Sequence, residues 1–225
     1  MPHPKGGYRD ADGQRIPGVT TVIGRFKESG GLIRWAYGRG RDGEELYESR
    51  DKATEAGTAA HEMCERHIKG DILIEGGQPT AKAREVANVP DEMFPLVWSS
   101  FQAYLAWERQ TQLKIVETEQ SYVSKKYQFG GTPDAIGEID SKLCLVDWKT
   151  SNAVYGDHLY QLAAYRVLWE EHHNQALDGG YHLLRFAKTH GDFTHHFWPN
   201  LDEAIEGFKL MLRLYQIDKG IKKRV

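Results

Sequence analysis

Residues 130–150 read GGTPDAIGEIDSKLCLVDWKT, and the folding of this stretch decides how the rest of the chain is read. Two short runs rich in β-formers, Thr132 to Ile139 and Leu143 to Thr150, flank the polar turn Asp140-Ser141-Lys142, which is the pattern of a β-hairpin. If the loop has two residues, Asp134 lies directly opposite Asp147; with three, the two are near neighbours. Side chains alternate along a strand, so Asp147 and Lys149 share a face. Cross-strand partners stand about 5 Å apart at Cβ. The hairpin therefore gathers two carboxylates and an ammonium on a small patch. Like charges at that spacing are costly unless a cation sits between them, and hard oxygen donors suit a divalent ion such as Mg²⁺ or Mn²⁺. Taken alone, the same residues also fit a surface hairpin with a cross-strand salt bridge.

Working outward, residues 113–124 alternate in polarity and are expected to form a strand that carries Glu119. Residues 157–172 are expected to be helical, with Gln161 and Tyr165 four apart on one face. Two further strands, 180–188 and 193–198, and a final helix over about 201–218 follow. Upstream, residues 51–69 read as a helix stopped by Gly70, with His61 and Glu65 on one face and Thr58 nearby. Residues 91–109 form a second helix, with Pro95 tolerated in its first turn. Residues 71–90 read as a mobile connection and residues 1–18 as a loose arm. Val19–Phe26 reads as a strand or a short helix. Residues 32–48 read as an amphipathic helix carrying Arg34, Trp35, Tyr37, Arg39 and Arg41. Helices alternating with strands imply an α/β fold with a mixed sheet covered by helices.

Composition narrows the class. The chain has 225 residues, 40% hydrophobic and 27% charged, ordinary for a globular protein, and a net charge of −3 that gives no global nucleic-acid signature. No apolar run approaches the length of a membrane span. The polar start MPHPKGGYRDADG lacks a signal-peptide core. Cys64 and Cys144 fit a reducing cytosol as small buried hydrophobes, so the expected setting is the cytoplasm of a prokaryotic or phage-infected cell. Two cysteines cannot supply the four thiolates of an iron–sulfur cluster.

The motifs together carry a resemblance. Gly130 to Asp134 followed by Asp147-Trp148-Lys149 resembles the signature of the PD-(D/E)xK nuclease superfamily: Pro-Asp, twelve residues, then Asp-x-Lys. Gly57-Thr58-Ala59-Ala60-His61 resembles the GTxxH helix of its RecB-like exonuclease branch, and Gln161 to Tyr165 that branch's QxxxY motif. Gly18 to Val22 with Trp35 is similar to the N-terminal segment of single-domain members such as the mitochondrial genome maintenance exonucleases. The matches run in the family's order over about residues 17–166.

The resemblance implies a restriction-endonuclease-like core in a single nuclease domain, 1–225. Its helical part is 17–110, with a DNA-binding arch, and its catalytic sheet and last helix are 111–225. It implies His61, Asp134, Asp147 and the Trp148 carbonyl as metal ligands and Lys149 as the catalytic lysine. Gln161 and Tyr165 either contact DNA or buttress the lysine strand. Thr58, Arg34, Trp35, Arg39 and Arg41 are the other DNA-binding candidates; Glu65 is expected to stand behind the ligands, and Glu119 either there or at a second metal site. The implied reaction is metal-dependent hydrolysis of DNA phosphodiesters, as an exonuclease on single strands or ends in repair, recombination or replication. Alternatives are a structure-specific, resolvase-like endonuclease and a non-catalytic DNA-binding subunit. An iron oxygenase using two histidines and a carboxylate leaves Lys149 unexplained. The chain lacks the GxxxxGK[ST] loop of a helicase, so unwinding falls to a helicase or recombination partner.

Overall fold

The computed structural model describes residues 4, 6–26, 30–42, 46–186, 193–222 and 224. The helices α1 (Val19–Phe26), α2 (Gly30–Arg41) and α3 (Leu46–Ile68) come first, then a small ribbon of β1 (Ile74–Glu75) and β2 (Gln78–Pro79). Helices α4 (Ala81–Ala87) and α5 (Phe94–Thr111) follow, then strands β3 (Lys114–Thr118), β4 (Tyr122–Ser124), β5 (Phe129–Gly131), β6 (Ala135–Ile139) and β7 (Lys142–Thr150). The chain ends with α6 (Gly156–His173), β8 (Tyr181–Phe186), β9 (Phe193–Trp198) and α7 (Asp202–Lys222).

The central sheet has five strands in the order β3-β6-β7-β8-β9. β7 and β8 run parallel, joined across α6, and the remaining neighbours are antiparallel. This is the expected mixed α/β architecture, with a restriction-endonuclease-like core. The hairpin forms with a two-residue loop: Ile139 pairs with Lys142 and Ala135 with Val146. Asp140 and Ser141 both take left-handed backbone (φ 50° and 61°), as the tight turn that matches strand twist requires. This register carries Asp134, one residue before β6, toward Asp147.

β7 is central and covered on both sides, so its buried residues run without a break from Cys144 to Trp148. Its alternation splits the core in two. Cys144, Val146 and Trp148 pack with α3, α4 and α5 on one face. Leu145 packs with α1, α6 and α7 on the other. Both cysteines are buried and free. Among the described residues no helix is long and apolar enough to cross a membrane.

Several local expectations are corrected. Of the two readings open for Val19–Phe26, the helix holds, because Val19, Val22 and Ile23 form a helical stripe buried against α6 and α7. The expected strand 113–124 breaks into β3 and β4 at Glu119, whose φ of 51° turns the chain, so Glu119 sits just past a strand rather than on one. Residues 71–90 carry structure of their own, including α4, capped by Thr80, whose hydroxyl accepts from the Ala83 amide at 3.2 Å. The supposed loose arm is a strap: Tyr8 and Ile16 are buried, and the Asp10 carboxylate accepts from the Asp12 and Gln14 amides. Residues 187–192, which contain the expected second hairpin turn, lie outside the described residues.

Candidate active site

The chemistry gathers where β6 begins and β7 ends. Asp147 is fully buried and Asp134 is 3% exposed. One oxygen of Asp134 accepts the Trp148 amide at 2.9 Å, so the first carboxylate is held by the backbone of the second's strand. Lys149 shares the face of Asp147 and forms an ion pair with it, its ammonium standing 3.5 Å from the Trp148 carbonyl. Asp134 Oδ1 and Asp147 Oδ1 are buried and have no hydrogen-bond partner. A buried carboxylate oxygen without a donor costs free energy, and two side by side are unusual in a core built only for stability.

The charges perturb one another. Burial, the largest influence, and the neighbouring Asp134 carboxylate push Asp147 up to about 7 against the pull of Lys149. Burial opposes the charge on Lys149, but Asp147 and Asp134 outweigh it and hold its pKa up. The patch thus favours a protonated lysine beside an Asp147 carboxyl that ionises reluctantly.

The helix α3 crosses the end of β7 at Gly57. A Cβ there would lie 2.6 Å from Thr150 Cβ and closer still to its methyl group, so only glycine allows this approach. One turn on, His61 stacks against the Trp148 ring, with centroids 5.9 Å apart. Its Nε2 stands 3.1 Å from Glu65 Oε1. Burial depresses the His61 pKa, but Glu65 and Asp134 raise it further, and the net shift is upward. Glu65 leads to Lys69 (3.7 Å), and Lys69 bonds Glu119 Oε2 at 2.7 Å. The Glu119 amide in turn donates to the Asp134 carbonyl at 3.0 Å. Glu65 and Glu119 therefore form a ring of contacts running from His61 to Asp134, and Lys69 is a member that sequence reasoning missed.

On the opposite face, Gln161 Nε2 donates to the Tyr165 hydroxyl at 2.7 Å, and both residues are buried. Burial first, then the charges of Asp147 and Asp134, drive the Tyr165 pKa well above its ordinary value. The pair therefore lies within electrostatic reach of both carboxylates. Thr58, by contrast, is exposed on α3 beside the site. Arg34 and Arg41 are exposed on α2, with Arg41 3.2 Å from Asp42. The side chains of Trp35 and Arg39 lie outside the described residues, as does Lys27, whereas Arg25 is tied to Asp218 at 3.0 Å. Sequence reasoning also missed Tyr8, Ser121 and Thr132, which bond one another just ahead of Asp134. The signal was Gly130: two glycines before Thr132 mark a place where something bulky approaches the backbone.

Among the described residues no three His, Cys, Asp or Glu side chains converge into a ready metal cage. Two carboxylates with orphaned oxygens and an adjacent carbonyl nevertheless fit a hard divalent cation, since Mg²⁺ commonly binds through one or two carboxylates and keeps several waters.

A family model described as the PD-(D/E)XK nuclease superfamily matches residues 32–208. No curated protein matches the chain in sequence. Among solved structures, a Eubacterium rectale protein provisionally called an exonuclease aligns with a TM-score of 0.49 at 10% identity, over 73% of this chain and 68% of that one. A protein designated SSO0001 aligns with a TM-score of 0.32 at 14% identity, over 70% of this chain and 74% of that one.

Proposed function

The chain belongs to the PD-(D/E)XK nuclease superfamily, and from that premise we propose that it is a divalent-metal-dependent deoxyribonuclease, an exonuclease acting on single-stranded DNA or DNA ends. One observation carries this reading: Asp134 and Asp147 bury unpartnered oxygens beside the Lys149 ammonium, on one face at the strand ends. Asp134, Asp147 and the Trp148 carbonyl would hold Mg²⁺ or Mn²⁺, with His61 as a further donor by resemblance to the RecB-like branch.

Such an ion, when bound, supplies Lewis-acid stabilisation of phosphate charge and lowers the pKa of water. Lys149, fixed by Asp147, can hydrogen-bond the attacking water and offset negative charge that develops on the scissile phosphate. The Trp148 amide holds Asp134 in one rotamer, so its other oxygen points at the same place in every turnover. Gln161 and Tyr165 exclude water from the rear of the carboxylates. Arg34, Arg39, Arg41 and Trp35 on α2, with Thr58 on α3, would guide the strand through phosphate contacts and stacking. The exonuclease assignment rests on the order and spacing of the GTxxH and QxxxY motifs. A helicase or recombination protein would supply unwound ends.

The test uses end-labelled linear and circular single-stranded DNA with Mg²⁺, Mn²⁺ or EDTA. Linear DNA is degraded with either metal and spared by EDTA, while circles survive. Asp147→Ala and Lys149→Ala each lower the rate by about 10²–10³-fold or more, the cost of removing one preorganised group from such a site. Metal-dependent cleavage that survives both substitutions refutes the assignment, and cleavage of circles makes the enzyme an endonuclease.

A further inference from the structure

The sheet holds Asp134 itself, whose carbonyl accepts from the Glu119 amide at 3.0 Å and whose carboxylate accepts from the Trp148 amide at 2.9 Å, but it does not hold the two residues just ahead of it. β5 ends at Gly131 and β6 begins at Ala135, so Thr132 and Pro133 fall between two ladders, and Pro133 has no N–H to donate. Ahead of Asp134 the segment is tied through the Thr132 side chain. Thr132, 2% exposed, places its hydroxyl 2.9 Å from the Tyr8 hydroxyl and 2.7 Å from the Ser121 hydroxyl. A hydroxyl can donate once and accept twice, so both contacts are satisfied together.

Tyr8 arrives from 124 residues away, and its seat is built for it. A Cβ on Gly130 would lie 2.6 Å from Tyr8 Cβ and closer to the ring, and one on Gly18 would lie 3.0 Å from the ring edge. The strap that bears Tyr8 is anchored on both sides of this seat: Gly130 N donates to the Pro17 carbonyl at 3.0 Å, and Ile16 N to the Tyr8 carbonyl at 3.0 Å. Burial pushes the phenol's pKa up against the Thr132 bond, so at neutral pH it is an un-ionised donor and acceptor.

We propose that Tyr8 is a positioning residue for the nuclease site: through Thr132 its hydroxyl sets the backbone that aims the Asp134 carboxylate. The proposal rests on the reading of Asp134 as a metal-binding carboxylate. The N-terminal strap is then part of the catalytic scaffold, although it is farthest from the site in sequence.

The experiment is Tyr8→Phe, which keeps the ring in its seat and removes only the hydroxyl, alongside Thr132→Val and Thr132→Ser. Mn²⁺ binding is measured by calorimetry, cleavage by steady-state kinetics on linear single-stranded DNA, and the fold by circular dichroism. Tyr8→Phe and Thr132→Val each weaken Mn²⁺ binding or lower kcat by about 10–100-fold, as loss of an outer-shell partner does, with KM for DNA unchanged. Thr132→Ser, which keeps a hydroxyl, restores both. The double variant Tyr8→Phe/Thr132→Val is no worse than the more damaged single, because both cut one chain of bonds. A Tyr8→Phe protein that binds Mn²⁺ and turns over like wild type overturns the positioning role, as do two effects that add in full. Wild-type protein that neither binds Mn²⁺ nor cuts DNA overturns the nuclease reading itself, and is distinguished from the first result by the wild-type arm alone.

Discussion

The closest approach between α3 and the catalytic strand is the most sensitive place to test the site's geometry. Replacing Gly57 by alanine puts a Cβ 2.6 Å from Thr150 Cβ. Carbon atoms settle at about 3.5–4.0 Å, so helix and strand must part by roughly 1 Å or more. Neither can yield locally: Gly57 lies within the 23-residue helix Leu46–Ile68, and Thr150 is held by its parallel pairing with Phe186. Overpacking of this kind costs about 1–3 kcal/mol, and alanine returns about 1 kcal/mol of helix propensity, leaving about 0–2 kcal/mol of net destabilisation. For a chain of this length that is a fall in Tm of at most about 8 °C. Activity is the larger readout. His61 lies one turn beyond Gly57 and Lys149 is the neighbour of Thr150, so the same 1 Å separates the two sides of the site, and misplacement of that size costs about 100-fold in rate. The assay is degradation of linear single-stranded DNA by Gly57→Ala, by Thr150→Gly and by the double variant, with thermal melts in parallel. The double variant recovers most of the lost activity because Thr150→Gly removes every atom of the clash. Gly57→Ala with wild-type activity, or a loss that Thr150→Gly fails to relieve, refutes the claim that this contact sets the site.

Two further outcomes concern ionisation. Burial raises Asp147 from its ordinary value to about 7, so the folded, metal-free protein holds a proton there that the unfolded chain releases near 4. The stability tied to that proton is complete below pH 4 and is lost as pH rises through about 7. Asp147→Asn, which never ionises, stabilises the metal-free protein at pH 8 by at most about 4 kcal/mol while abolishing cleavage; urea melts in EDTA at pH 5 and 8 that show no difference between the two proteins refute this. The second concerns the stacked pair His182 and His195, whose rings bond at 2.9 Å on the far strands. Burial lowers both pKa values, that of His195 to about 4, so the neutral pair stabilises the fold above pH 6.5 and that stability drains away as pH falls toward 4. His195 is substantially exposed, which limits its part to about 1 kcal/mol. His195→Gln flattens this acid limb, measured as the unfolding midpoint between pH 7 and 4.5, and an unchanged slope contradicts it.

The hairpin was legible because two local rules agree on it, runs of β-formers in both arms and a short polar turn between them, while its register, left open between a two- and a three-residue loop, is fixed only by the pairing of Ile139 with Lys142. The helices α3, α5 and α6 were legible because each is long, holds no glycine or proline run that would break it, and ends on signals such as Gly70, an early proline and the αL residue Asn174. What the sequence left open or misplaced depends on long-range contacts and special backbone. Val19–Phe26 left strand and helix open because it begins with five β-branched residues, and burial of Val19, Val22 and Ile23 against two helices decides for the helix. The break at Glu119 depends on a left-handed backbone in a glutamate, which no propensity announces. Tyr8 was unreadable as a site residue because its partner is 124 residues away, although its imprint, Gly130, was in plain view.

The alternation of β7 explains why the other motifs fall where they do. Of three consecutive residues, Trp148 points to one face of the sheet and Asp147 and Lys149 to the other. Each face therefore needs its own helix to complete the site. On the Trp148 side α3 must come close enough for His61 to stack on the indole, which demands a glycine at the crossing and places the histidine one turn later. On the Asp147 side α6 must back the carboxylates with bulk and a satisfied polar group, which Tyr165 and Gln161 provide from adjacent turns. A Cβ at Gly131 would lie 2.8 Å from both Tyr165 and Leu168, so the second glycine before Asp134 is the imprint of α6 just as the first is the imprint of the strap. The spacing of the scattered motifs thus follows from one strand with two faces. A change at Gly57, Gly130 or Gly131 is expected to disturb the same two carboxylates from three directions.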